Sequence, residues 1–377
     1  LKTARVFLTT TWNEATLMFF SSKKELVAID IGGHTVKVAQ LKKGRHGYEL
    51  LNFGMINLPP DTVVDGEVEN PQALTEALRN LLKAEKIKNK DMVLGICGQS
   101  VVIKKISVPL MSMDDLAEMI REEAEQYIPF DIEDVNLDFQ IVRAEGEIPQ
   151  VGGSTTEEKQ MDVMIVAVQK EIIKAFLDVF KELKIRVRVV DLSVFALENI
   201  FEHCHGVDGD SAIALVNIGA SMTNINIIEK GTTAFARDIQ MGSSVISEEI
   251  QKSLSIGFVD AEKIKLGNLP EGQSKDAIIR LVIGGVEELC LEIRKTFDMY
   301  EKTSDMKVSK IYLSGGGALL EGMDRLVRDQ LGMDTELLNA FSGVSYDEKK
   351  FNPDYLESMG PVAAIPLGLA LRMANDK

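Results

Sequence analysis

Cysteine is scarce in this chain. Cys97, Cys204 and Cys290 are far apart and odd in number, which argues against a disulfide framework and fits reduced thiols in a cytoplasmic protein. Basic charge is also in deficit: Lys and Arg number 42 against 58 Asp and Glu, a net charge of -16. With no basic excess to neutralise a phosphate backbone, a nucleic-acid role is disfavoured. A pocket for a small phosphate ligand needs only local positive potential. Long apolar runs are missing too. The longest, PVAAIPLGLAL at 361–371, holds two prolines and falls well short of the ~20 residues of a membrane span, so the chain is expected to be soluble. Metal-ligand spacing is lacking as well: His203-Cys204-His205 are neighbours that point different ways, and no second cluster completes a four-ligand site.

The first residues, LKTARVFLTTTWNEATL, begin without methionine, hold the only tryptophan and lack the apolar core of a secretion signal. Met18 reads as a natural start, so residues 1–17 are expected to be an upstream extension, with a flexible native arm as the alternative. The bulk of the chain is ordinary. Its 377 residues, 45% apolar and 27% charged, suit two domains or one large domain split by a cleft.

The chain is organised around ELVAIDIGGHTVKVAQL at 25–41. This reads as strand, glycine turn, strand, with Asp30 at the end of the first strand and Lys37 beyond the turn. Glycines let backbone N–H groups approach a phosphate closely, and a carboxylate can hold a hydrated divalent cation. The run YELLNFGMINLP follows a Lys-Lys-Gly turn and completes a three-stranded meander. Asn70 before Pro71 caps a helix to about residue 85, and MVLGICG is a buried strand.

Residues 101–183 have their own rhythm. VVIKKISVP is a strand, SMDDLAEMIREEAEQYI a helix capped by Ser112, VNLDFQIV and MDVMIVAV are strands, and QKEIIKAFLDVFKEL is a second helix. This β-α-β-β-α order predicts helices on one sheet face, with the other face needing cover. The loop AEGEIPQVGGSTTEEK is its flexible tip. VRVVDLSVFALENIFE is a strand and helix, and GVDGD at 206–210 punctuates the two halves.

Beyond it, SAIALVNIGASMTNINIIEKG repeats the opening stretch. Asp30-Ile-Gly-Gly aligns with Asn217-Ile-Gly-Ala, and each hairpin ends at a Lys-Gly fourteen residues after the first aligned position, at Gly44 and Gly231. Two related units suggest a pseudo-two-fold arrangement around a shared cleft. Helices are predicted at SSVISEEIQKSLS, near residue 260, over 274–302 and over 366–375. SKIYLSGGGALLEGMDRLV reads as strand, three glycines and helix, a crossing where backbone lies flat against a planar or anionic ligand. It is neither a Walker loop nor a dinucleotide fingerprint.

Three glycine elements in this order resemble the actin–hexokinase–Hsp70 superfamily, an α/β, ribonuclease H-like, two-lobed fold. Within it the chain is similar to the PilM proteins of the type IV pilus machine, relatives of the division protein FtsA. The resemblance covers nearly everything from residue 24 onward. Its carriers are LVAIDIGGHTVKVAQL, EEAEQYIPFDIEDVNLDFQIV, VAVQKEIIKAFLDVFKEL, VVDLSVFALENIF and FARDIQMG. It implies an N-terminal segment 1–23, subdomain 1A at 24–104 and 185–210, and an FtsA-type subdomain 1C at 105–184. A second lobe at 211–354 and a C-terminal helix within 355–377, returning to the first lobe, complete it.

The same resemblance implies ATP and Mg²⁺ as ligands. Gly32, Gly33, His34, Thr35 and Lys37 would meet the phosphates from one side, and Gly219, Ala220, Ser221 and Thr223 from the other. Asp30 and Asn217 would hold Mg²⁺ through water. Gly315, Gly316 and Gly317 would back the adenosine. Glu262 and Lys265 match a position that contacts ribose and base, with an exposed helix ion pair as the alternative. Two departures stand out: Asn217 replaces the superfamily aspartate, and Ala340 in ELLNAF stands where relatives often show proline. The first removes a carboxylate from the attacking-water region, so at most slow ATP hydrolysis is expected, because general-base catalysis is worth roughly 10²–10⁴-fold. Asp191 is a further carboxylate whose place relative to the cleft the sequence leaves open.

The implied role is a cytoplasmic, ATP-binding scaffold at the inner-membrane pilus platform. It would hold the N-terminal Ile-Asn-Leu-Leu-Pro-type peptide of a PilN-type protein between subdomains 1A and 1C, reach the membrane only through that partner, and meet other platform proteins and motor ATPases. Assembly into a homo-oligomer or ring stays open. Two alternatives differ in class. A phosphotransferase would need a catalytic carboxylate in a substrate pocket, which no motif supplies. An FtsA-like filament anchor would need an amphipathic C-terminal membrane helix, which LALRMANDK does not resemble.

Overall fold

A computed structural model of the chain describes residues 25–45, 47–145, 156–206, 211–268 and 274–373. The expected extension 1–23, the Gly/Ser/Thr-rich tip and most of GVDGD lie outside these residues.

The first half opens with the meander β1 (Val27–Ile31), β2 (Thr35–Gly44) and β3 (Gly47–Asn57), followed by the small hairpin β4 (Val63–Val64) and β5 (Glu67–Val68). Helix α1 (Pro71–Ala84) starts at Asn70, whose side chain accepts from the Ala73 N–H as its sequence predicts. Then come β6 (Asp91–Ile96), β7 (Val101–Leu110), α2 (Met113–Glu123), β8 (Val135–Ala144), β9 (Thr156–Gln169), α3 (Lys170–Glu182), β10 (Arg186–Leu192) and α4 (Ser193–His205). The second half contains β11 (Ala212–Ile218), β12 (Thr223–Glu229), β13 (Thr232–Ile239), α5 (Ser244–Leu254), α6 (Phe258–Lys265) and α7 (Lys275–Glu301). It ends with β14 (Val308–Ser314), α8 (Met323–Leu331), β15 (Asp334–Leu337), β16 (Val344–Ser345), α9 (Pro353–Met359) and α10 (Ala364–Ala370).

Two sheets carry the same plan. The first has the order β10-β6-β1-β2-β3-β16 and the second β13-β12-β11-β14-β15. In each, an antiparallel meander continues into two parallel strands, β6 and β10 in one and β14 and β15 in the other. The repeat seen in the sequence is therefore a repeat of whole sheets. The turn ending each first hairpin differs by a step. Gly44 still pairs with Gly47, whereas Lys230 and Gly231 form the turn itself with φ of 51° and 79°.

Apolar residues alternate through the central strands, so both faces of each sheet are covered. In β1, Val27, Ile29 and Ile31 face a core shared with α1 and α3, while Ala28 and the preceding Leu26 face α4 and α10. That second core also takes Leu215 and Ile228 from the other sheet, which puts α4 and α10 between the lobes. The two helices cross so closely that a Cβ on Gly368 would lie 1.8 Å from the Ala196 carbonyl oxygen. Only a glycine fits. The outer face of the second sheet is covered by α5, α6, α7 and α8.

The third sheet, β7-β9-β8, is antiparallel throughout. Its two helices do not share a face, contrary to the sequence expectation. Met161, Val163 and Ile165 of β9 meet Leu116 and Ile120 of α2, whereas Met164, Val166 and Val168 turn toward Phe176 and Phe180 of α3 and the first lobe's core. The strict alternation along β9 makes both faces apolar, so each needs its own cover. β7 starts ahead of residue 105, and α9 spans residue 355.

A cavity between two glycine turns

The two glycine hairpins end alike. The Gly32 N–H donates to the Thr35 oxygen at 2.9 Å, and the Gly219 N–H donates to the Met222 oxygen at 2.8 Å. The ladders stop there, so Gly33-His34 and Ala220-Ser221 form two-residue tips outside them. The tips face each other: a Cβ on Gly33 would come within 2.9 Å of Ser221 Oγ. Between them opens a cavity of about 480 Å³.

All but two of the sequence-predicted site residues line it. Asp30, Gly32, Gly33, His34, Thr35 and Lys37 come from the first hairpin, and Asn217, Gly219, Ala220 and Ser221 from the second. Glu262 and Lys265 of α6, with Gly316 and Gly317, complete the set. The exceptions are Thr223 and Gly315. Thr223 is fully buried and donates its hydroxyl to the Met241 oxygen at 2.7 Å, so it fastens β12 instead of facing the cavity. Gly315 is absent from the wall because it packs behind it. Its φ is +87°, its N–H donates to the Pro361 oxygen at 2.8 Å, and a Cβ would sit 2.3 Å from the Ile218 oxygen. Nor do the three glycines open an α-helix directly. A 3₁₀ turn at Gly316–Leu319 intervenes, and α8 begins only at Met323.

Electrostatically the cavity is balanced. Lys37 Nζ meets Asp30 Oδ2 at 2.9 Å across the β1–β2 ladder, with both side chains largely buried. Lys265 Nζ meets Glu262 Oε1 at 2.7 Å and reaches the Ser243 oxygen at 3.3 Å. That pair is a helix ion pair, as the alternative reading held, but it is not an exposed one: the Lys265 side chain is 9% accessible and faces the cavity. Glu262 also accepts from the Ser247 hydroxyl.

Where the first hairpin has an ion pair, the second has amides. Asn217 Nδ2 donates to Asn224 Oδ1 at 2.9 Å, and Asn224 Nδ2 donates to Asp238 Oδ1 at 2.7 Å. Asn224 lines the cavity and was legible in the spacing, since it follows Asn217 as Lys37 follows Asp30. Phe258 was not legible: it starts α6 and its ring lies 6.4 Å from that of His34.

Asp191 is not part of the wall. It is fully buried and accepts from Arg372 Nε at 2.6 Å, tying β10 to the chain beyond α10. Cys97 does line the cavity, but burial, with Asp238 and Asp30 nearby, pushes its thiol up to about 12. It offers no thiolate nucleophile. His203 and Cys204 have separate partners, the Gly343 and Ala340 oxygens. Among the described residues no group of three His, Cys, Asp or Glu side chains converges as metal ligands, and no helix is long and apolar enough to cross a membrane.

A family profile described as "Type IV pilus assembly protein PilM" matches residues 28–374. The chain belongs to the PilM family. Among solved structures, the chain is similar to one titled "PilM-PilN type IV pilus biogenesis complex", with a TM-score of 0.82 and 26% identity over 94% of this chain and 100% of that one. The ethanolamine utilization protein EutJ from Carboxydothermus hydrogenoformans is similar in fold, at a TM-score of 0.54 and 16% identity over 93% of this chain and 90% of its own. So is MreB5 of Spiroplasma citri, solved with AMPPNP bound, at 0.50 and 12% over 93% and 96%. This PilM family chain therefore has the actin-like ATPase fold that its three glycine elements resemble, and it is a type IV pilus assembly protein.

Proposed function

We propose that the chain is a nucleotide-holding scaffold of the pilus assembly platform, which docks the cytoplasmic N-terminal peptide of a PilN-type membrane protein under nucleotide control. The observation that carries the first part is the pair of opposed glycine tips. A Cβ at Gly33 would enter the space between them, and a Cβ at Gly219 would lie 2.7 Å from the Met222 oxygen. Glycine at 33 and 219 and the small Ala220 and Ser221 leave backbone N–H groups open to a polyphosphate.

The residues present fit ATP with Mg²⁺. The tips Gly33-His34 and Ala220-Ser221 would hold phosphate oxygens, with Lys37 adding charge. Gly316 and Gly317 offer a flat wall beside the apolar Leu319, Leu320 and Phe258 for an adenosine. Asp30 is the carboxylate at the phosphate end. One carboxylate with phosphate oxygens and water is a usual Mg²⁺ environment. When bound, the ion neutralises phosphate charge. The amides Asn217 and Asn224 supply no general base, so the site suits retention of ATP over its turnover.

For the partner, the likeness to the PilM–PilN complex supports a PilN-type peptide. Among the described residues β8 pairs with β9 alone, and its Leu137, Phe139 and Ile141 are only half-covered. Such a free edge on the three-stranded unit (subdomain 1C) suits an added extended segment. The partner's membrane span would place the chain at the cytoplasmic face of the inner membrane.

Isothermal titration of the full chain with Mg-ATP, and separately with a synthetic PilN-type N-terminal peptide, tests both halves. Binding of each at micromolar affinity or tighter is expected. A chain that takes up neither ATP nor ADP overturns the nucleotide reading, and one that ignores the peptide overturns the docking reading.

A further inference from the structure

Four strands of the second sheet carry a polar row at matched register. Ser314 of β14 stands beside Asn217 of β11, Asn217 beside Asn224 of β12, and Asn224 beside Asp238 of β13. The row is hydrogen-bonded along its length: Ser314 Oγ to Asn217 Oδ1 at 3.4 Å, Asn217 to Asn224 at 2.9 Å, Asn224 to Asp238 at 2.7 Å. It then leaves its lobe. Asp238 Oδ2 accepts from the Gly98 N–H of the first lobe at 2.7 Å.

Gly98 is no ordinary loop residue. Its φ is +122°, and a Cβ would come within 2.7 Å of the Asp65 oxygen in the turn between β4 and β5. Backbone conformation and a crowded neighbour thus fix where its N–H points. Its oxygen accepts from the Val101 N–H at 3.0 Å, the first residue of β7, and the Ser100 oxygen accepts from Gln169 at the end of β9 at 3.2 Å. Two of the three strands of that unit, β7 and β9, are therefore rooted within two residues of the atom that Asp238 holds. β7 also lies directly against β13.

We infer that this row, from Asn217 through Asn224 and Asp238 to Gly98, passes occupancy of the cavity to the three-stranded unit. The inference rests on the reading of the cavity as a nucleotide site. Asn217 and Asn224 line the cavity, whereas Asp238 does not, so a ligand touches one end of the row and the unit hangs from the other. Each amide donates through one group and accepts through another, so a ligand that takes a bond from Asn217 or Asn224 changes what reaches Asp238. The Asp238 carboxylate needs both its donors, because burial opposes its charge. It follows either lobe only by moving the other's backbone.

Hydrogen–deuterium exchange of the full chain, with and without saturating Mg-ATP, reads the transfer at residues 101–110 and 161–169. In the wild type, nucleotide is expected to change exchange there at least threefold. Asp238→Asn keeps the shape but sets a donor against one of its two donors. It should bind Mg-ATP within threefold of wild type while the response at 101–110 is lost. Asp238→Ala is the second variant, with the same expectation. The inference is overturned if wild type binds nucleotide without a response at 101–110, or if either variant binds it and keeps the full response. A wild type that binds no nucleotide in calorimetry fails earlier, at the reading of the cavity, and takes the inference with it.

Discussion

Asn217 faces Asn224 across the second hairpin as Asp30 faces Lys37 across the first, at the same 2.9 Å. The two pairs hold equivalent register positions, yet one is a salt bridge and the other a neutral amide pair. The lobes are alike in backbone and unlike in charge, and the chemistry of the cavity follows from that difference.

Lys37 is the cation of the first pair and the one closest to the glycine tips in sequence. Lys37→Ala is expected to weaken Mg-ATP binding by about 10- to 100-fold, the range of a lost charge-assisted hydrogen bond. Removing Asp30 as well should leave the fold intact, since no charge remains buried alone. Calorimetry and circular dichroism check the two halves.

With amides at 217 and 224, steady-state phosphate release should be very slow. A turnover on the order of 10 s⁻¹, the median for ordinary enzymes, would contradict the retention reading. A malachite-green assay on purified chain decides it.

Glu198 of α4 is buried between the lobes. It accepts from the Thr233 N–H at 3.1 Å, from the Thr233 hydroxyl at 2.6 Å and weakly from Asn226. Burial raises its carboxyl to about 7, because these donors do not offset the lost solvation. A carboxyl raised in the folded state binds its proton more tightly there than in the unfolded chain. Its contribution is therefore complete below the unfolded value of 4.5 and fades as pH rises through about 7. The loss is on the order of 3 kcal/mol. Urea unfolding at pH 5.5 and 8 should show the decline for wild type and a flatter profile for Glu198→Gln.

Gly368→Ala should splay the crossing of α4 and α10, since its Cβ has no room beside Ala196. Overpacking of a buried backbone contact costs about 3 kcal/mol or more here. A lower urea midpoint with an unchanged slope is expected. Gly316→Ala, whose Cβ meets nothing within 4 Å, should unfold like wild type.

Much of this was already in the sequence because its causes are local. Asp30-Ile-Gly-Gly and Asn217-Ile-Gly-Ala fixed two hairpins by turn chemistry and alternation, and Asn70-Pro71 and Ser112 fixed helix starts by capping. Those signals act within a few residues; that the glycine elements share one cavity was implied by the family resemblance and not by any local signal. Tertiary structure decided what depends on residues far apart in the chain. It turned Thr223 and Gly315 away from the cavity, gave Asp191 to Arg372, and put α2 and α3 on opposite faces of one sheet. It alone joined Asp238 to Gly98, a contact between residues 140 apart that no spacing announces. A hydrogen bond across a cleft leaves no periodic trace in either segment. It exists only once both lobes have closed around their shared helices.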